Sequence, residues 1–370
     1  MRRAARPCDC VKQYPKILGA FLSNMQANRN LPDNAQWVQE AVTVAGGNEK
    51  GDAPSQLNHP HGLYIDDDQT ILITDYGNHR IVKWTPDATS VGGGKGQVVA
   101  GGNRGGDGLH QLFNPTDVIV DKKTDSLIIC DAMNNRVMRW SRQNRTNGGP
   151  IISNITCWGL AMDDKGFLYV SDRKKAEVRR YTMDETNGTV AEGDNGIVVA
   201  GGNGRGEGPH QLAFPTYLFV DQKQSVYVSD SDNNRAMKWD RDATTGCLVA
   251  SDNSGGNAMT QLSNPQGVFV DQLGRIYVAD SNNHRIMRWY EGNEVEIIAG
   301  GRNGPGKEPN QLLYPVGLSF DQQGNLYVVD NGNHRVQRFS IKASCTDEVS
   351  MNINGLGMDR LQNRLTGLEK

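Results

Sequence analysis

No apolar run in this chain approaches the roughly 20 residues that a helical membrane span requires. The start, Met1–Cys10, carries positive charge but no apolar segment follows it, and the run Ile17–Leu22 is too short to supply one. As written, the chain is expected to be soluble and cytoplasmic, or extracellular if its N-terminus is truncated. Charge of one sign is also missing. The 39 Lys+Arg and 42 Asp+Glu leave a net charge of −3, so no global field favours nucleic acid or an anionic membrane, and neither is an expected partner. Aromatic residues are sparse at 7%, lean for a helical protein. The six cysteines (Cys8, Cys10, Cys130, Cys157, Cys247, Cys345) are scattered, and the single C-x-C pair is a weak metal signal.

Glycine is plentiful instead, with 43 residues, and points to many tight turns between short strands. Behind it lies a repeat. Gln261–Asp271 is followed by Ile276–Asp280 and Asn283–Trp289, and fifty residues on the pattern returns as Gln311–Asp321, Leu326–Asp330 and Asn333–Phe339. The second aspartate of each copy stands at Asp75, Asp131, Asp172, Asp230, Asp280 and Asp330, which makes six copies. Each copy reads as four strands, the last being a Val-Val-Ala-Gly-Gly run as at Val98–Gly102 and Val198–Gly202. The sixth copy lacks that run, and one appears before the first copy, at Val42–Gly47. The predicted fold is therefore all-β: a six-bladed β-propeller of four-stranded blades, closed by an N-terminal strand that completes the last blade. The expected division is an N-terminal extension over 1–40, partly disordered, a propeller over 41–341, and a polar tail over 342–370.

The signature turns Asn78-His79-Arg80-Ile81, Asn283-His284-Arg285-Ile286 and Asn333-His334-Arg335-Val336 resemble those of the NHL repeat family. The Gly-Gly-Asn loops and the Ile-Ile-Cys-Asp and Cys-Trp-Gly-Leu variants resemble the expanded NHL sets of bdelloid rotifers. The resemblance implies the propeller; it leaves function open, because one fold hosts many activities. Some similar propellers are lyases holding zinc with three histidines near the central funnel. Here only His61 fits that pattern, and the equivalent positions Thr116, Trp158, Thr216, Gln266 and Val316 are not usual zinc ligands. Neither a metal nor another cofactor is expected. Other NHL propellers are substrate-binding ends of ubiquitin ligases, but residues 1–40 hold two cysteines and no histidine, so no zinc-binding RING is encoded there.

A catalytic residue is needed once, so the aspartates repeated six times read as turn caps. The irregular copy is the third. The interval into it is short because the long Gly-Gly-Asn…Gln-Leu…Pro connection is absent, and its turn reads Asp172-Arg-Lys-Lys-Ala-Glu177. A missing loop predicts a notch between blades two and three, bordered by Trp158 and Arg173, Lys174 and Lys175. Beside it Asp117 and Tyr217 replace the glycine found at Gly62, Gly159, Gly267 and Gly317. The expected function is a non-catalytic, monomeric interaction module that binds a protein, peptide or glycan through one face, using Trp158, Arg173, Lys174, Lys175, Tyr217, Asp117 and His61. The alternatives are a metal-dependent lyase or lactonase-like enzyme, the substrate-recognition part of a ubiquitin ligase assembly, or a single-stranded RNA binder. Cys130 and Cys157 end strands on the same side of neighbouring blades, within reach of a disulfide. Asn144, Asn154 and Asn187 head N-glycosylation sequons, relevant if the chain is exported.

Overall fold

The computed structural model describes residues 31–342, apart from residues 33, 86–93, 144–145, 185–188, 192, 253 and 291–293. Six antiparallel sheets of four strands each form six blades. The inner strands, Leu63–Ile65, Pro115–Asp121, Cys157–Met162, Pro215–Val220, Pro265–Val270 and Pro315–Phe320, touch one another in succession, and the last returns to the first. Alternating apolar residues of the second and third strands fill the space between blades. Trp84 and Trp239 end the third strands of blades one and four, Trp140 is the last residue but one of that of blade two, and all three are almost wholly buried. Burying a large apolar side chain contributes about 1.5–3 kcal/mol.

The recurring aspartates, arginines and asparagines form one device, and blade five shows it. Asp280 ends the second strand with its carboxylate buried. Its Oδ1 accepts the Ser263 amide at 2.7 Å, and its Oδ2 accepts Asn283 Nδ2 at 2.8 Å and Arg285 Nε at 2.7 Å. Asn283 and Arg285 then donate to the carbonyls of Gly256, Asn257, Ala258 and Gln261. The carboxylate, the turn and the long incoming loop are thereby locked together. Asp75 with Arg80, Asp131 with Arg136, Asp230 with Arg235 and Asp330 with Arg335 repeat the clamp. The first aspartates of the copies cap their turns as expected; Asp163 Oδ1, for example, accepts the amides of Lys165 and Phe167.

The signature histidine links neighbouring blades. His79, His284 and His334 sit at φ near 55°, a left-handed conformation that histidine and asparagine tolerate better than most residues. Their Nδ1 atoms accept backbone amides of the next blade, Asn114, Tyr314 and His59, at 3.1–3.2 Å. In blade four Asn234 Oδ1 does the same for the Asn264 amide.

Blade three lacks the clamp for a physical reason. Residues 154–156 replace the long loop, so there are no loop carbonyls for an arginine or asparagine to hold. Asp172 turns to the amides of Lys174 and Lys175, and Glu177 pairs with Arg179 at 2.6 Å. Where the loop and clamp are missing, a disulfide joins the blades: Cys130 and Cys157 are bonded, with Cα atoms 5.8 Å apart.

Closure follows the predicted scheme. Val42–Gly46 pairs antiparallel with Arg335–Phe339 and is the outer strand of blade six. The described residues among 31–40, assigned to an N-terminal extension on sequence grounds, pack against blades five and six. Trp37 is buried against Phe320 and Tyr277, and its Nε1 donates to Gly324 O at 2.9 Å. Arg275 and Arg288 hold the carbonyls of Leu31, Pro32 and Ala35. Cys8, Cys10 and Cys345, most of the N-terminal extension and nearly all of the C-terminal tail lie outside the described residues.

Candidate functional site: the mouth of the central channel

The signature turns and the long loops share one face, and the channel opens there. Around its mouth stand the residues just before or at the head of each inner strand: His61, Thr116, Trp158, Thr216, Gln266 and Val316. A second ring comes from the residue after each marker aspartate, where Tyr76 and Arg173 are the large members.

The inner strands crowd at the axis. A Cβ on Gly159 would lie 2.7 Å from Thr216 O, one on Gly267 2.6 Å from Val316 O, and one on Gly317 2.6 Å from His61 O. Glycine is needed there because only its bare Cα fits between adjacent backbones. The two non-glycine residues at this level, Asp117 and Tyr217, fit because their neighbours across the blade interface, Gly159 and Gly267, leave room.

Asp117 and Tyr217, expected beside the notch as binding residues, turn inward instead of to the surface. Both are buried. Asp117 Oδ2 accepts the Leu160 amide at 2.8 Å, and Oδ1 accepts the Val118 amide at 3.0 Å. Tyr217 reaches across blade three, over Gly159, to donate its hydroxyl to Thr116 O at 3.0 Å. Together they plug the channel. Burial pushes the Asp117 carboxyl up to about 7 against those two amides, and burial with the nearby Asp117 charge raises the Tyr217 phenol well above its usual value. The cavity bounded by Asp117, Tyr217, Phe219 and Phe269 holds only ≈ 40 Å³, room for a few waters but not for a substrate.

Above the plug, flat side chains from three blades stack in a row. The His61 ring lies on Tyr76 with centroids 4.3 Å apart and meets Trp158 edge-on at 5.4 Å. The Arg173 guanidinium lies 3.8 Å from the Trp158 ring and 3.3 Å from the Phe214 ring. Trp158, expected at an exposed notch, is half-buried because both its neighbours in the row lean on it. His61 Nδ1, Trp158 Nε1 and Arg173 Nε are buried without a hydrogen-bond partner. Desolvation, helped by His59 and Arg173, pushes the His61 imidazole down to about 3, and desolvation pushes Arg173 down to about 10.

The expected basic triplet is split. Arg173 turns into the row, whereas Lys174 and Lys175 are exposed on the turn beside it. Sequence reasoning brought His61, Trp158 and Arg173 together and missed Tyr76 and Phe214. Tyr76 had a signal: it is the sole aromatic residue among Tyr76, Ala132, Arg173, Ser231, Ser281 and Asn331. Of the sequons, Asn154 is exposed in the short link between blades two and three, whereas Asn144 and Asn187 lie outside the described residues.

Six closed blades around a plugged channel define a six-bladed β-propeller. The family model for the NHL repeat matches residues 57–84, 262–288 and 312–339, so NHL repeats are found in blades one, five and six of the propeller. A comparison with curated proteins returns no significant match. Among solved structures, an auxiliary nutrient binding protein from Bacteroides thetaiotaomicron is similar, with a TM-score of 0.60 at 16% identity, covering 82% of this chain and 76% of that one. The PQQ-bound aldose sugar dehydrogenase of Streptomyces coelicolor gives 0.54 at 15% identity, covering 84% and 100%. A catalytically inactive virginiamycin B lyase from Staphylococcus aureus, with quinupristin, gives 0.51 at 12% identity, covering 79% and 98%. These likenesses concern the fold alone. It serves a binding protein and enzymes alike.

Proposed function

We propose that this protein is a non-catalytic interaction module that binds a protein, peptide or glycan ligand at the channel mouth. The observation that carries this reading is the row Tyr76–His61–Trp158–Arg173–Phe214, in which aromatic rings hold an arginine at a recessed surface. Such residues dominate the energy of binding surfaces, and their mutual stacking fixes them before a ligand arrives, which lowers the entropy cost of association. Burial of Asp117, the carboxyl raised to about 7, speaks for binding over catalysis: it lies below the row and is occupied by two backbone amides.

The test begins with peptide and glycan arrays probed by the wild-type protein and by Trp158→Ala. Trp158→Ala should lose the signals, and with a hit in hand it should weaken binding by about 2 kcal/mol or more. Lys174→Ala should act more weakly and lose its effect in high salt. Leu273→Ala, an exposed residue in the turn on the opposite face, should change nothing. Binding that survives Trp158→Ala and fails with Leu273→Ala would move the site to the other face.

A further inference from the structure

Building on that binding face, we propose that the channel mouth is a receptor for a carboxylate group, taken by the edge of the Arg173 guanidinium. A guanidinium has two faces and a rim of five N–H donors. Trp158 and Phe214 occupy the faces at 3.8 and 3.3 Å, so stacking fixes the plane and leaves the rim for a ligand. Among the described residues no carboxylate or carbonyl accepts a hydrogen bond from the Arg173 side chain. The clamp arginines differ. Arg285, for example, meets one carboxylate and three carbonyls, and Arg335 does the same in blade six.

The surroundings favour an incoming anion. The acid that acts on Arg173 most strongly, Asp232, lies 4.0 Å from the exposed guanidinium of Arg205. Arg205 in turn approaches the Phe214 ring, at 5.4 Å. Trp158 Nε1, a donor only, is buried and unpartnered in the same row. Partial removal from water already depresses Arg173, and an anion on its rim would restore what desolvation took away. One recessed guanidinium matches a planar carboxylate, which takes two parallel N–H bonds from the fork. A phosphate can accept the same two bonds, but its second negative charge would meet no further recessed cation in the stack, since Lys174 and Lys175 are exposed outside it. The carboxylate can come from an acidic side chain, a peptide C-terminus or an acidic sugar.

Titration calorimetry on the full chain, to millimolar probe, separates these sources. The probes are N-acetyl-trialanine with a free C-terminus, its C-terminal amide, a triglutamate peptide capped at both ends, trigalacturonate, and inorganic phosphate. At least one carboxylate probe should bind, and the free-acid peptide, if it is the one, should bind at least ten-fold tighter than its amide. Arg173→Gln should weaken the binding probe ten-fold or more, Arg173→Lys by less, and the exposed Arg302→Gln, a matched loss of charge, should leave it unchanged. Thermal melts of each variant report on folding, and Arg173→Lys with Trp158→Phe carry the test if Arg173→Gln does not fold. Binding that is equal in wild type and Arg173→Gln, phosphate binding tighter than every carboxylate, or no carboxylate binding at all would overturn the proposal. Trp158-dependent binding of the amide or of neutral array ligands would overturn the carboxylate while leaving the binding face in place.

Discussion

At the scale of single residues, the clamp shows why the same side chains recur. Each marker carboxylate is surrounded by donors yet buried, and burial raises Asp75, Asp131, Asp280 and Asp330 above the usual carboxylate range despite their arginines. A buried ion pair of this kind contributes more to fixing geometry than to net stability, but removing one partner is costly. Arg285→Met should therefore destabilise the fold by about 3–5 kcal/mol, read from urea denaturation, since it strips Asp280 and releases three loop carbonyls. A loss under about 1 kcal/mol would contradict that role. The blade-linking histidines give a pH signature. His334 accepts an amide through Nδ1, and desolvation, with His59, Lys50 and Lys307 nearby, lowers it to about 4 from 6.5. A folded-state value below the unfolded one means that its contribution is intact above about pH 6.5 and declines as pH falls toward 4. His334→Asn keeps an acceptor, as Asn234 does in blade four, without a titrating ring. Calorimetric melts at about pH 7.5 and 4.5 should show the wild type losing more Tm than His334→Asn; equal losses would refute the link.

At the scale of elements, blade three is a coherent exception. Its loop, its clamp and its signature residues are missing together, because the arginine and asparagine exist to hold that loop. The turn survives without them: Ala176 keeps the left-handed φ of 55° that histidine or asparagine has elsewhere. The Cys130–Cys157 bond then fastens this junction. A disulfide closing a loop of this length contributes about 2–4 kcal/mol. Reductant, or the double substitution of both cysteines by alanine, should lower Tm correspondingly, and a non-reducing peptide map should find the bond. An unchanged Tm on reduction would show that packing alone holds blades two and three.

At the scale of the whole molecule, the ring is as secure as its closure. Val42–Gly46 covers the edge of Arg335–Phe339, and Trp37, wedged against Phe320 and Tyr277, extends the seal across blades five and six. Deleting residues 1–47 bares a strand edge and empties the Trp37 site, for which the loss of a buried tryptophan alone costs about 3–5 kcal/mol. The truncated protein should melt about 10 °C or more below the full chain and be prone to associate. An unchanged Tm would mean that the ring does not depend on this strand.

The fold was legible because a propeller is written in repetition. Each blade carries its own strand pattern and turn chemistry, and the displaced Val42–Gly47 run states how the ring closes. Local sequence also marked blade three, and placed His61, Trp158 and Arg173 at related positions. What it could not determine was depth and direction. Asp117 and Tyr217 stand at the glycine level like residues lining an opening, yet the spacing of inner strands at the axis turns them into its plug. Arg173, Lys174 and Lys175 are one run of charge in sequence, but the turn sends the first inward between two rings and leaves the others exposed. The burial of Trp37 depends on blades five and six, some 240 or more residues away in sequence. These outcomes depend on which backbones come within van der Waals contact once six blades close, a condition set by the ring and by no single repeat.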